Sequence, residues 1–535
     1  MTAAALLAFR LRRERVVLPV WLVGATGLLA ASGVAIVREF GDEAQRSALI
    51  ALASGNPAFL FLRGLPDGAG VGAVVFFQTF SFLAVLTALM NTFLVVRHTR
   101  ADEERGQDEL LLAAPVRRAA PLVTALAVAL LADVLLAGLA TTAGLVLGLD
   151  PAGSVLTGLA LGAVGLCFAG GAAVCAQVMP TPRGANGLAA ATVGVAYLVR
   201  GAGDALGTAR DLTHVDPSWV SLLSPIGWAQ ASRPFSDANA LPLLVPLLAG
   251  VVAGAVAILV RSRRDLGASL FAQRAGRPGW RHAGPALLGI RGQIGTTIGW
   301  ATGTAILGFL AGLITPLVVE AVGANDELAG LIARLAPGVS AGTGDVFTMA
   351  LLGIAGTLAT AAGVQAVTRL RTDEAEGRAE LLLATPMSST AWYLRQLAVA
   401  VSSTAVVAVV AGLAAGTGFV ASGSAPDRIG VTLEMVLVQL PAGIVFIALA
   451  ALAVAALPRL SIGLAWVLLV AGLVLGQLGD LLGLPDAVQS VSPFRHVPAV
   501  PIEPVTAGPL VVPAVVAIAI AGFGALILRR RDIPA

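Results

Sequence analysis

The sequence predicts an all-α polytopic membrane protein of about twelve transmembrane helices, built as two parallel six-helix repeats. Three observations carry that expectation. The first is composition: of 535 residues, 57% are apolar and 12% charged, with a mean hydropathy of +0.88. That is too little charge to cover the surface of a soluble chain of this length. The second is the apolar runs of about 20 residues, the length a helix needs to cross a hydrocarbon core. Long unbroken runs satisfy their own backbone polar groups as helices, not as barrel strands. The third is a duplication. Residues 100–115 read RADEERGQDELLLAAP and residues 371–386 read RTDEAEGRAELLLATP, aligned without a gap at an offset of 271, with ten of sixteen positions identical. Such a match is an internal repeat.

Twelve spans are expected, near 16–37, 72–96, 119–146, 154–178, 186–204, 241–260, 298–319, 345–367, 393–416, 431–457, 461–478 and 505–528. They divide the chain into a six-span repeat over 1–265, a linker over 266–290 and a second repeat over 291–535. Six spans bring each repeat back to the side it entered, so the two are parallel and not inverted. If the duplicated loops are cytoplasmic, that side holds 25 Arg against 12 acids and the other 9 Arg against 17 acids. This is the positive-inside pattern, so both termini are expected in the cytoplasm; the Arg-only, Ala- and Gly-rich composition suggests a bacterial genome, and so a bacterial plasma membrane. No cleavable signal peptide is expected, because Leu7–Arg15 is too charged to begin one. The formal charge of +3 gives no sign of nucleic-acid binding. All 34 basic residues are Arg.

Taken in order, the elements open with Leu6–Arg15, where Arg10, Arg12, Arg13 and Arg15 alternate with apolar residues. It reads as a short interfacial helix. Arg12 stands nine residues before Trp21, as Arg291 stands nine before Trp300. Segment 38–71, punctuated by Gly64, Pro66 and Gly68, reads as a loop with a short helix. The fifth-to-sixth connection carries Arg200, Asp204, Trp219, the run Ser224–Trp228 (SPIGW) and Arg233–Pro234. The second half keeps Gly479–Asp480 and Ser492–Pro493–Phe494 but has Gly476 where the arginine is expected. Each sixth span is followed by Arg-Arg-Asp, at 263–265 and at 530–532. Cys167 and Cys175 fall in one helix as apolar packing residues. His98, His214, His282 and His496 lack ligand spacing, so no metal site is expected.

The duplicated loop reads as a short helix from Glu103 to Pro115, with Pro115 as its stop. Gly106 costs helix stability and is expected to admit another backbone. Leu110, Leu111 and Leu112 beside Glu103, Glu104 and Glu109 demand a cover, and so do Leu381, Leu382 and Leu383 beside Glu374, Glu376 and Glu380. That cover is either the lipid surface or another protein. Acids are poorly placed beside an anionic leaflet, which favours a protein, and two loops suit a two-fold symmetric partner.

Here the sequence resembles the ABC-2-type exporter permeases. Glu103–Pro115 and Glu374–Pro386 are similar to the loop between the second and third spans of that family. The whole chain resembles its fused twelve-span actinobacterial branch, the polyketide-antibiotic and tetronasin exporters. The Arg12-to-Trp21 start, Arg200 with Gly203–Asp204, Ser224–Trp228, Arg233–Pro234 and the run Arg263–Gly267 carry that likeness. The resemblance implies that the loops are coupling helices seated on two copies of a cytoplasmic ATP-binding subunit. The residues it assigns to coupling are Glu103, Glu104, Gly106, Glu109, Leu110–Leu112 and Pro115, with Glu374, Gly377, Glu380, Leu381–Leu383 and Pro386 in the second copy. It implies export of hydrophobic or amphipathic, antibiotic-like compounds, with ATP and Mg held by the partner and no catalytic residue in this chain. A lysine-free chain has no G-x-x-x-x-G-K-[ST] phosphate loop of its own.

Four polar residues in or beside the spans are candidates for the path or gate. Asp133, at mid-depth of the third span, is either a contact for a cationic or hydroxyl-rich solute or a hydrogen-bonded helix-packing residue. Its counterpart in the second repeat is Thr404. Glu434 lies near the outer start of the tenth span. Arg200 and Asp204, four apart, pair on one helix face, as an external gate or a helix finish. Against the exporter stand a proton-coupled secondary transporter working through Asp133, a lipid or glycolipid exporter, and a membrane scaffold.

Overall fold

The computed structural model describes residues 3–55, 57–114, 116–271, 285–323, 343–477, 479 and 485–531. Among these, helix dominates, and the sheet is one two-residue pair, Thr208–Ala209 against Val215–Asp216. The chain forms two compact units, Met1–Gly276 and Arg277–Ala535.

The first unit contains α1 (Ala3–Arg13), α2 (Val17–Glu39), α3 (Glu43–Ser54), α4 (Pro57–Arg63), α5 (Val71–Arg97) and the short α6 (Arg100–Glu104) and α7 (Gln107–Leu112). It continues with α8 (Ala120–Val146), α9 (Pro151–Val178), α10 (Pro182–Ala205), α11 (Pro225–Gln230) and α12 (Leu244–Arg263). Helices α5 and α9 are the most enclosed, whereas α2 and the last long helix expose most of their length. In α9 the buried side chains are mostly Ala and Gly, which lets helices approach in an apolar solvent, whereas α5 buries Phe76, Phe77, Phe80 and Met90 among its Ala, Val and Thr.

Helix α1 does not simply lie on a surface. Its Leu6–Arg10–Glu14 row is buried, at 2%, 1% and 2% exposure. Arg10 donates to the carbonyl of His98 at 2.8 Å and to that of Pro121, so one guanidinium caps the end of α5 and ties it to the first turn of α8. Spacing of four puts the three on one face, by which the helix docks on the rest of the unit.

The second unit contains α13 (Pro285–Gly323), α14 (Thr343–Ala375), the short α15 (Arg378–Leu383), α16 (Ser389–Ala421), α17 (Arg428–Leu437) and α18 (Leu440–Ala456). It ends with α19 (Ser461–Gly476), α20 (Asp486–Gln489) and α21 (Ala507–Arg530). Gly308 and Gly312 of α13 face α16 so closely that a Cβ on either would stand 2.4 or 2.0 Å from the carbonyls of Ala411 and Ala415. A single side chain larger than hydrogen at either position would force this seam apart.

Among the described residues ten helices are long and apolar enough to cross a membrane. Two of the twelve expected spans fall short of that measure. Helix α10 has 24 residues but carries Arg183, Arg200 and Asp204. Helix α19 has 16 residues, about 24 Å at ~1.5 Å per residue, less than a hydrocarbon core of about 30 Å. The chain is an all-α multi-pass membrane protein.

Candidate functional site: the repeated charged loop

The single helix expected from Glu103 to Pro115 is broken in two. Helix α6 ends at Glu104, Gly106 turns, and α7 follows; in the second copy α14 runs to Ala375, Gly377 turns, and α15 follows. Gly106 has φ 71 and Gly377 φ 70, the left-handed region that a side chain disfavours. No atom lies within 4 Å of where either Cβ would stand. Within this chain these glycines are set by the turn and not by crowding. Pro115 lies outside the described residues, and Pro386 is an exposed bend.

The acids divide into two groups. Glu103 faces inward, its side chain 5% exposed, with Arg261 at 2.9 Å, Arg264 at 2.7 Å and Arg100 at 3.0 Å. The Gly267 N–H donates to it at 2.8 Å. Glu374 likewise faces inward, its side chain 3% exposed, with Arg531 at 2.5 Å and Arg371 at 3.5 Å. Both were expected on an outward surface. The structure corrects this, because each carboxylate is held inside by charge-assisted bonds from guanidinium groups of its own unit. Glu104, Glu109 and Glu380 do face outward. So do Leu110 and Leu381, 79% and 74% exposed, while Leu111, Leu112, Leu382 and Leu383 are half-buried.

Asp108 is buried beneath α7, 2.6 Å from Arg261, and its second oxygen has no hydrogen-bond partner among the described residues. Burial pushes its carboxyl up to about 6, only partly countered by Arg261. The aligned residue of the second copy is Ala379, 1% exposed, and the counterpart of Arg261 is Leu528, also 1% exposed. Around the first loop, Asp102 pairs with Arg13 at 2.8 Å and Glu14 with Arg97 at 3.0 Å. Burial opposes ionisation of Glu14, but the His98 ring at 2.9 Å and the Arg97 guanidinium at 3.0 Å outweigh it and hold the carboxyl below its usual range.

Three of these participants, Arg261, Arg264 and Arg531, escaped the sequence reading as site residues. A signal existed for Arg264 and Arg531, since the Arg-Arg-Asp tails recur at an offset of 267, close to the 271 of the loops; Arg261 lies outside that repeat.

The path and gate candidates are placed as follows. Asp133 of α8 is 2% exposed and accepts a hydrogen bond from Asn91 of α5 at 2.7 Å. Gly165 of α9 leaves it room, since a Cβ there would stand 2.0 Å from the carboxylate. Glu434 is exposed on α17. Arg200 and Asp204 form a fully buried pair at 3.1 Å. Asp204 also accepts from Ser221 at 2.6 Å and Gln230 at 3.0 Å. Ser224 donates to the Ala196 carbonyl at 2.7 Å while its oxygen caps α11. Among the described residues the second unit repeats the serine, Ser492 to the Gly472 carbonyl at 2.7 Å. At Gly476 a Cβ would stand 2.5 Å from the Ser492 hydroxyl, so no arginine fits there. Asp480 lies outside the described residues. Among the described residues no group of three His, Cys, Asp or Glu is placed to hold a metal.

The family model for the C-terminal domain of the multidrug efflux system permease Rv1217c matches residues 283–529. The multidrug efflux system permease protein Rv1217c of Mycobacterium tuberculosis is 33% identical over 539 residues, covering 99% of this chain and 94% of that protein. The chain belongs to the Rv1217c permease family. It is an exporter permease of ABC-2 type, a membrane subunit that catalyses no chemistry itself. Its Rv1217c-like likeness runs through both units, so both loops lie within it.

Proposed function

We propose that this chain is the transmembrane subunit of an ATP-driven exporter of hydrophobic or amphipathic, drug-like compounds. ATP, with Mg, is hydrolysed by two copies of a separate cytoplasmic subunit, one on each charged loop. Twelve spans in two six-span repeats, with both termini cytoplasmic, complete the reading. The observation that carries it is the pair Leu110 and Leu381: the same residue of each loop left bare, each following an outward acid, Glu109 or Glu380. A leucine so exposed at the tip of an ordered turn needs an apolar cover, and flanking acids suit a protein groove better than an anionic leaflet.

The name of the Mycobacterium relative, a multidrug efflux permease, supports drug-like cargo; lipid or glycolipid export is the alternative. The burial of Asp133 against Asn91 and Gly165 supports helix packing over a proton-coupled path. The test is co-purification. Leu110→Asp with Leu381→Asp is expected to abolish retention of the ATP-binding subunit while membrane insertion is unchanged. Native mass spectrometry of the intact complex is expected to give one permease with two ATPases. Full retention by the double variant would sink the docking assignment.

A further inference from the structure

We propose that the arginine tail behind each sixth span is a strut: Arg264 together with Arg100 in the first unit, and Arg531 in the second, are positioning residues that bind the charged loop, the end of the fourth span and the end of the sixth span into one body. The inference rests on the reading of the loops as ATPase seats for its consequence in transport, but its geometry stands within each unit alone.

In the first unit, Glu103 of the loop takes Arg264 at 2.7 Å and the tail's Gly267 N–H at 2.8 Å. The tie to the fourth span comes from Arg100, which donates to the Pro180 carbonyl at 2.6 and 3.0 Å just beyond α9, and to Ala268 of the tail at 2.9 Å. The tail backbone closes the triangle, Leu270 N–H to Gln177 at 3.3 Å and Phe271 N–H to Val178 at 3.2 Å.

In the second unit, Glu374 takes Arg531 at 2.5 Å. The same guanidinium donates to the carbonyls of Val454 and Ala455, at the end of α18, at 2.8 and 3.0 Å. The same three chain ends meet in both halves, yet different arginines make the fourth-span tie, Arg100 in one and Arg531 in the other. The junction is what recurs, not a particular residue set. Charge-assisted bonds at this burial fix geometry as well as energy. A loop hung only from its two flanking helices would hinge freely; tied in this way, its displacement moves the ends of the fourth and sixth spans as well.

The test uses the full chain in lipid nanodiscs, with Glu374→Gln, Arg531→Gln and the double variant. Hydrogen exchange is read over 371–386, 452–458 and 524–531. Each single variant is expected to speed exchange about tenfold in the loop and, together with it, at the end of the fourth span. The double is expected to be no worse than the worse single, since both remove one junction. Acceleration confined to the loop, or additive effects, would overturn the strut. Glu374→Gln keeps the side-chain shape and holds the test open if Arg531→Gln does not fold.

With the ATPase present, Glu374→Gln is expected to keep ATPase binding and hydrolysis while ATP-driven ethidium efflux falls at least tenfold. Loss of binding instead would make Glu374 a docking residue and overturn the proposal. A wild type that retains no ATPase would refute the function proposed above, and the exchange pattern alone would then decide the strut.

Discussion

The two loops leave the same leucine bare, Leu110 and Leu381, but are seated by different chemistry. The first rests on a buried carboxylate and guanidinium, Asp108 with Arg261 at 2.6 Å, beside the caged Glu103. The second rests on a methyl and an isobutyl group, Ala379 and Leu528, both 1% exposed and part of the unit's apolar core. Taking two charges out of water costs about what their attraction returns, so a buried ion pair and an apolar pair of suitable size are near-equivalent solutions. The asymmetry appears only when one partner is removed. A lone Leu in the second seat is harmless, whereas a lone Asp108 in the first is an uncompensated charge.

That difference is open to direct attack. The largest effect is expected from Arg261→Leu alone, which strands Asp108 and should cost roughly 3–5 kcal/mol, read as a lowered unfolding temperature of the first unit. Adding Asp108→Ala copies the second seat into the first and should recover most of the loss. A double variant no better than the single would show that Arg261 serves Glu103 and not Asp108.

Next in size is the turn. Gly106→Ala and Gly377→Ala each force a left-handed φ on a residue with a Cβ, at a cost of about 1–2 kcal/mol. Because the two φ values are 71 and 70, the costs should be equal in the two halves, unlike those of the seats.

A smaller effect is expected from pH. A carboxyl whose folded pKa is raised stabilises the fold in its protonated form. Its contribution is full below the unfolded value near 4 and is lost as pH rises through about 6. Hydrogen-exchange protection of α7 should therefore decline between pH 4 and 7, and Asp108→Ala should remove the decline. The second loop, with Ala379, should be flat. A matching slope in both loops would mean that some other group is titrating.

The smallest expected effect is on the shared outer face. Leu110→Ser and Leu381→Ser touch nothing that holds the units together, and should change stability by less than about 0.5 kcal/mol. Any larger shift would mean that the leucines are part of the seat.

The helical membrane fold was legible because lipid leaves so few options to an apolar run, and the loop was legible because it occurs twice. The inward turn of Glu103 was not. An acid in a charged loop reads as surface until its partners are known, and Arg261 and Arg264 lie 158 and 161 residues away. The reason for Gly106 was hidden for a different cause: a left-handed turn and a close contact call for the same residue. Helices α10 and α19 mark the limit of counting by hydropathy. One trades apolar length for the buried Arg200–Asp204 pair, and the other is simply short.

The seam of α13 and α16 also limits what the second unit is free to do. Where carbonyl oxygens stand against bare Cα atoms at Gly308 and Gly312, neither helix can roll about its axis without driving a side chain into the other's backbone. Sliding by one residue meets the same obstruction, because the cores of such contacts are close-packed and do not deform smoothly. The two helices therefore have a single set of rigid-body coordinates between them. Any change of shape in this unit must be borne by its other helix contacts, with α13 and α16 carried as one beam.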